Sequence, residues 1–303
     1  MTNRDLWSYL SWVDRMPVAR WRYLAGAALM YVAIFFGPLL VLPFRTMLPG
    51  GEIGALARNL LSFVGMLTVV MPTLWLITGR PPWTLLMPER EAGAGLFLKG
   101  AAIQTACLSV ITPLAALTPL GHIEFQRPDL SLVAAALPIA LVGFIIQTGA
   151  EELMFRGYLP QAVYRFTTWP WLIYGIPAYL FAQLHIGNVG ALGGGWLAYI
   201  PYFSIALLWG WLAWRTGSLW LGWGMHYANN VFLVLLIGSH DDVLQPVSGL
   251  AFVYNHPGAP QIVATGLVST FTAGLLAWAL IVRRLPNAGR LALNERLHQQ
   301  RGA

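Results

Sequence analysis

Two adjacent carboxylates, Glu151 and Glu152, stand in the apolar run GFIIQTGAEELMFRGYLPQAVYRF, residues 143–166, with Arg156 four positions after the second. Ten of the twelve acidic residues lie near the termini or between apolar runs; these two do not. An ionisable group at membrane depth costs at least about 2.5 kcal/mol and marks a functional site by default. Two further apolar runs carry polar groups: His185 closes FAQLH, and HYANN holds His226 and Asn230. His226 and Asn230 are four apart and share one helical face. Adjacent helical residues point about 100° apart, so Glu151 and Glu152 have different tasks. Glu152 and Arg156 have the spacing of an intrahelical ion pair, which would neutralise the arginine inside the membrane. Phe181, one turn before His185, either walls the site from lipid or simply packs; spacing alone favours packing.

A carboxylate and an imidazole facing a wet pocket can hold and deprotonate one water. A second histidine with an asparagine one turn away offers donors to a developing oxyanion. These are the parts for hydrolysing an amide without a covalent intermediate. Histidine and glutamate are also zinc ligands, but the H-E-x-x-H signature is missing. Metal-free water activation is therefore preferred, with no cofactor expected and zinc the disfavoured alternative. Other protease chemistries lack their residues. No Asp lies within an apolar run, Cys107 has no His in its own run, and G-x-S-x-G does not occur.

The elements that must position these groups are membrane helices. The chain has 303 residues, 57% hydrophobic and 10% charged, against roughly 25% charged in soluble domains. Fourteen Trp and eleven Tyr suit bilayer interfaces. The net charge of +6 comes from single basic residues spread between apolar runs, which fits a membrane orientation signal and argues against nucleic acid. A span needs about 20 apolar residues. Windows of that size place spans near 23–42, 56–78, 96–118, 130–150, 171–187, 196–214, 217–237 and 261–282. The expectation is an all-α polytopic membrane protein with eight transmembrane helices and both termini cytoplasmic. With that orientation fifteen of the eighteen basic residues lie inside, and only Arg45, Arg58 and Arg127 outside, as the positive-inside rule requires.

Residues 1–22 read as a cytoplasmic or interfacial segment, 23–282 as a single transmembrane domain with its motif-bearing core at 131–237, and 283–303 as a basic cytoplasmic tail. Leu6, Trp7, Tyr9, Leu10, Trp12 and Val13 are spaced for a short amphipathic helix on the membrane surface, against the alternative of a frayed tail. TTWPW, 167–171, reads as a turn with Pro170 restarting a helix. Glu151 and His185 each stand seventeen residues from Thr168, at one depth roughly 25 Å from the turn. His122, His240, His256 and His298 fall in loops or tails. Asp241 and Asp242 open an outer loop, 238–260, with Tyr254 and Pro257; GNVGALGGGW, 187–196, reads as a flexible outer turn.

EELMFR, FAQLH and HYANN resemble the motifs E-E-x-x-x-R, F-x-x-x-H and H-x-x-x-N/B of the CAAX protease and bacteriocin-processing (CPBP, or ABI) family of intramembrane proteases. Its eukaryotic branch is the type II CAAX prenyl endopeptidase. The likeness covers residues 143–237. It implies an eight-helix glutamic endopeptidase of the cell membrane, multi-pass, in the bacterial inner membrane. Glu151 would be the general base, His185 would help position the water, and His226 with Asn230 would form the oxyanion site. Glu152 and Arg156 would support them. The implied substrate is a peptide or protein, lipidated or membrane-embedded. Two other classes remain: a non-catalytic scaffold or bacteriocin-immunity protein on the same fold, and an ion-coupled transporter. The transporter reading lacks a matching pair of interrupted helices.

Overall fold

A computed structural model of the protein describes residues 8–87, 93–117, 123–125, 127, 129–187, 195–238, 252–254 and 259–301. A helix occupies each of the eight apolar runs: α1 Arg20–Leu40, α2 Gly51–Thr78, α3 Ala94–Ala116, α4 Leu130–Glu152 and its continuation α5 Leu159–Tyr164, α6 Pro170–Gln183, α7 Tyr199–Thr216, α8 Trp220–Leu236 and α9 Ala259–Leu280. A further helix, α10, covers Ala288–Arg301. Among the described residues six helical stretches are long and apolar enough to cross a membrane: Arg20–Leu40, Gly51–Thr78, Ala94–Ala116, Leu130–Tyr164, Gly195–Thr216 and Val263–Arg284. The other two, α6 and α8, have 14 and 17 residues, short of the roughly 20 that a bilayer core requires. Both carry motif residues. The sixth helix ends at Gln183, so His185 sits in the turn that follows it rather than within a continuous span.

The helices α3 and α8 pack most closely, and glycine permits it. A Cβ on Gly224 would collide with the Phe97 carbonyl oxygen, and one on Gly100 with that of Leu221. Small residues bring membrane helices into backbone contact in this way, where burial from water supplies no drive. The helix α4 packs on α2 and α8, and α7 packs on α6, α8 and α9. The Asp129 carboxylate caps α4, accepting from the backbone of Ser131 and Leu132 and from the Ser131 hydroxyl, which satisfies donors that a helix start leaves open.

Two features depart from the sequence reading. The first is the N-terminal segment. Tyr9, Leu10 and Val13 do not lie on a membrane surface; they are buried in the main core with Tyr158, Tyr174 and Leu219. The Tyr9 N–H donates to the Gly217 carbonyl (2.9 Å), its carbonyl accepts from Gln161 (3.0 Å), and its hydroxyl meets that of Tyr174 at 2.9 Å. Backbone groups that would face lipid or water unpaired are thereby satisfied inside the protein. The C-terminal helix holds the same segment: Arg296 pairs with Asp14 at 3.7 Å and donates to the Tyr164 carbonyl. Leu6 and Trp7 lie outside the described residues.

The second departure is a small sheet in an otherwise helical protein. Three short strands, β1 Ile123–Phe125, β2 Ile237–Gly238 and β3 Phe252–Tyr254, run in the order β1-β3-β2. The first pairs antiparallel with β3, and β2 pairs parallel with it. β-branched and aromatic residues favour the pleated form, so part of the stretch 238–260, expected as an outer loop, is paired. His122, His240, Asp241, Asp242, His256, Pro257 and residues 188–194 of the glycine-rich turn lie outside the described residues, whereas His298 is exposed on α10.

Candidate active site

The helix α4 ends on the two glutamates and passes into a π-helical turn, Leu153–Tyr158, before α5. Pro160 lies four residues after Arg156 and cannot donate to its carbonyl. A wider turn absorbs that mismatch, and such π turns recur at functional sites. Within it Arg156 reaches back to Glu152, Nη1 to Oε1 at 3.0 Å, with both side chains almost sealed at 2% and 1% exposure. The guanidinium lies over the rings of Phe181 (4.2 Å) and Trp209 (4.9 Å), faces that attract a cation. Phe181 therefore points inward as the floor under Arg156 and does not wall the site from lipid.

The two glutamates take opposite edges of one imidazole. Nδ1 of His226 lies 2.8 Å from Oε1 of Glu152, and Nε2 lies 3.3 Å from Oε2 of Glu151. A carboxylate only accepts, so Nδ1 must carry a proton and donate to Glu152. The His226 ring stacks on Trp209 with centroids 4.1 Å apart. Glu151 is 14% exposed, the more open of the pair, and His185 and Asn230 are also half-buried. The open edge of the constellation therefore carries Glu151, His185, Asn230 and the Nε2 edge of His226.

His185 approaches from the turn after α6. Its Nδ1 donates to the Phe181 carbonyl at 2.8 Å and its ring stacks on Tyr202 with centroids 4.5 Å apart. No hydrogen bond to Nε2 is found among the described residues. No hydrogen bond or ion pair joins His185 to Glu151; the carboxylate is in contact with His226 instead. Asn230 donates to the Gln147 carboxamide oxygen at 2.9 Å and lies 3.4 Å from Nε2 of His226.

Several neighbours were not singled out in the sequence. Gln147 is one turn before Glu151 and hydrogen-bonds its carboxylate. Gln104 on α3 donates to Asn229 (3.2 Å), which donates to Asn230 (3.1 Å). Tyr202 and Trp209 each back one histidine. The available signals were faint: an i, i+4 polar residue before Glu151, a lone glutamine in α3, and aromatics seven apart in α7, two turns along one face. Among the described residues no group of three or more His, Cys, Asp or Glu is arranged to hold a metal ion.

Residues 133–232 match the family described as Type II CAAX prenyl endopeptidase Rce1-like. All three motifs fall within that stretch. The chain is also 34% identical over 142 residues to the uncharacterized protein YyaK of Bacillus subtilis (strain 168), covering 47% of this chain and 48% of that one. It thus spans about half the length of the curated relative it matches. Three motifs in order, with their side chains assembled from α4, α6 and α8 around one imidazole, agree with the family match. The likeness is to the Type II CAAX prenyl endopeptidase Rce1-like family and is confined to this motif-bearing core.

Proposed function

We propose that the protein is an intramembrane endopeptidase that hydrolyses a peptide bond with a water activated by Glu151, without a metal. The observation that carries this reading is the division of labour between the two glutamates. Glu152 is almost sealed and pairs with both Arg156 and His226, while Glu151 is the more exposed of the two, 14% against 1%, and meets only the Nε2 edge of His226 in an ion-pair contact among the described residues. Glu151 is therefore the carboxylate assigned to take a proton from water. His185, through Nε2, helps to hold the same water. The hydroxide formed adds to the scissile carbonyl, and the oxyanion is met by the Asn230 N–H beside the Nε2 edge of His226. Glu151 then returns its proton to the leaving amine, and no covalent acyl-enzyme forms.

We extend the reading to topology. The eight helices span or lie within the bilayer, both termini are cytoplasmic, and α6 and α8 stop short because their ends border a wet cavity enclosed by longer neighbours. The substrate is a peptide or protein segment that reaches this cavity, with a lipidated C-terminus one class to test; the location is a bacterial cell membrane. The experiment is cleavage of a peptide library, prenylated and unprenylated, by the purified protein with and without a chelator. Cleavage that survives the chelator and is lost in Glu151→Gln is the expected result. Loss on chelation restored by zinc would overturn the metal-free mechanism. No cleavage of any peptide would favour the scaffold or immunity reading.

A further inference from the structure

The described amides beside the site form one continuous chain. Nε2 of Gln104 donates to Oδ1 of Asn229 at 3.2 Å; Nδ2 of Asn229 donates to Oδ1 of Asn230 at 3.1 Å; Nδ2 of Asn230 donates to Oε1 of Gln147 at 2.9 Å. Gln147 in turn hydrogen-bonds Glu151. The direction of such a chain is not arbitrary. A carboxamide has a donor end and an acceptor end, whereas a carboxylate can only accept. With Glu151 at one end, Gln147 must turn its NH2 to the carboxylate and its oxygen to Asn230. Every amide behind it is then fixed in the same sense. Gln104 and Gln147 are both buried to within a few per cent, where reversing one member would set two oxygens or two NH2 groups against each other.

We propose that Gln104, Asn229 and Gln147 are positioning residues that hold the Asn230 carboxamide with its NH2 group, rather than its oxygen, toward the cavity. Asn229 engages the oxygen of Asn230, and Gln147 takes one of its two N–H groups. The second N–H is left facing the Nε2 edge of His226, 3.4 Å away, where Glu151 also points. The acid that activates water thus sets the orientation of the amide that receives the resulting oxyanion. This rests on the reading of Asn230 as an oxyanion donor.

Two isosteric variants test it on the full chain in detergent. Asn229→Asp keeps an acceptor for Gln104 but cannot donate to Asn230, which then turns its NH2 toward the new carboxylate. The expected loss in kcat is about 100-fold, as for removal of one oxyanion donor, with KM little changed. Gln147→Met keeps volume and removes the acceptor. Its readout is independent of turnover: hydrogen exchange of the Asn230 side-chain N–H by 15N NMR, assigned by its disappearance in Asn230→Ala. Exchange should be slow in the wild type and about tenfold or more faster in Gln147→Met. Slow wild-type exchange with no peptide cleavage would support the relay while removing the proposed function. Equal exchange in wild type and Gln147→Met, or an Asn229→Asp enzyme with wild-type kcat, would overturn the relay.

Discussion

Nδ1 of His226 lies 2.8 Å from the Glu152 carboxylate, and the same oxygen of Glu152 is 3.0 Å from Arg156. One sealed carboxylate therefore fixes both a cation on its own helix and an imidazole from α8. Of the two neighbouring glutamates, one is sealed in this pairing and the other, Glu151, is the more exposed.

Replacing Glu151 by Gln, which keeps shape and removes the base, should lower kcat by about 100- to 10,000-fold, the usual span for a positioned general base. His185→Ala should fall in the same direction. Both proteins should keep the wild-type thermal midpoint in detergent within error. A Glu151→Gln enzyme with wild-type kcat would rule out Glu151 as the base.

Arg156→Ala leaves the Glu152 carboxylate buried without its cation, and breaking a buried pair this way typically costs about 3–5 kcal/mol. The expected outcome is low yield and a depressed thermal midpoint. Normal expression and stability with complete loss of cleavage would instead place Arg156 in the chemistry.

Gly224 stands two residues before His226, where its α-carbon faces the Phe97 carbonyl. Gly224→Val inserts bulk that α3 and α8 can accept only by separating, at a typical cost of about 1–3 kcal/mol for overpacking. Activity should fall with stability. Wild-type stability in Gly224→Val would contradict the close approach.

Asp14, in the N-terminal segment outside the spans, offers a pH test. Burial lifts its carboxyl above the ordinary value of 3.8, outweighing the nearby Arg296 and the Tyr164 hydroxyl, which pull it down. A carboxyl that is raised in the folded state contributes stability fully below its unfolded pKa and loses it as pH rises through the folded one. The wild type should therefore lose more of its thermal midpoint between pH 4 and pH 7 than Asp14→Asn does. A larger loss in the variant would show that Arg296 dominates over burial.

Much of this was legible in the chain because lipid imposes simple demands. Eight apolar runs became eight helices, and Pro170 restarts α6 after the expected turn. The i, i+4 spacing of Glu152 and Arg156 fixed their pairing, since neighbours on one helix need no long-range information. The embedded N-terminal segment was not legible: Tyr9 and Leu10 have the pattern of an interfacial helix, and only the partners Gln161, Gly217 and Tyr174, remote in sequence, draw them inward.

The amino-acid sequence alone singled out the polar groups set in apolar runs as candidates, because a charge or an imidazole at membrane depth is costly. Tertiary structure alone decided which glutamate is sealed, which histidine edge each one faces, and that Gln147, Asn229 and Trp209 complete the setting. Those choices depend on distances between helices far apart in the chain, and periodicity within one helix carries no record of them.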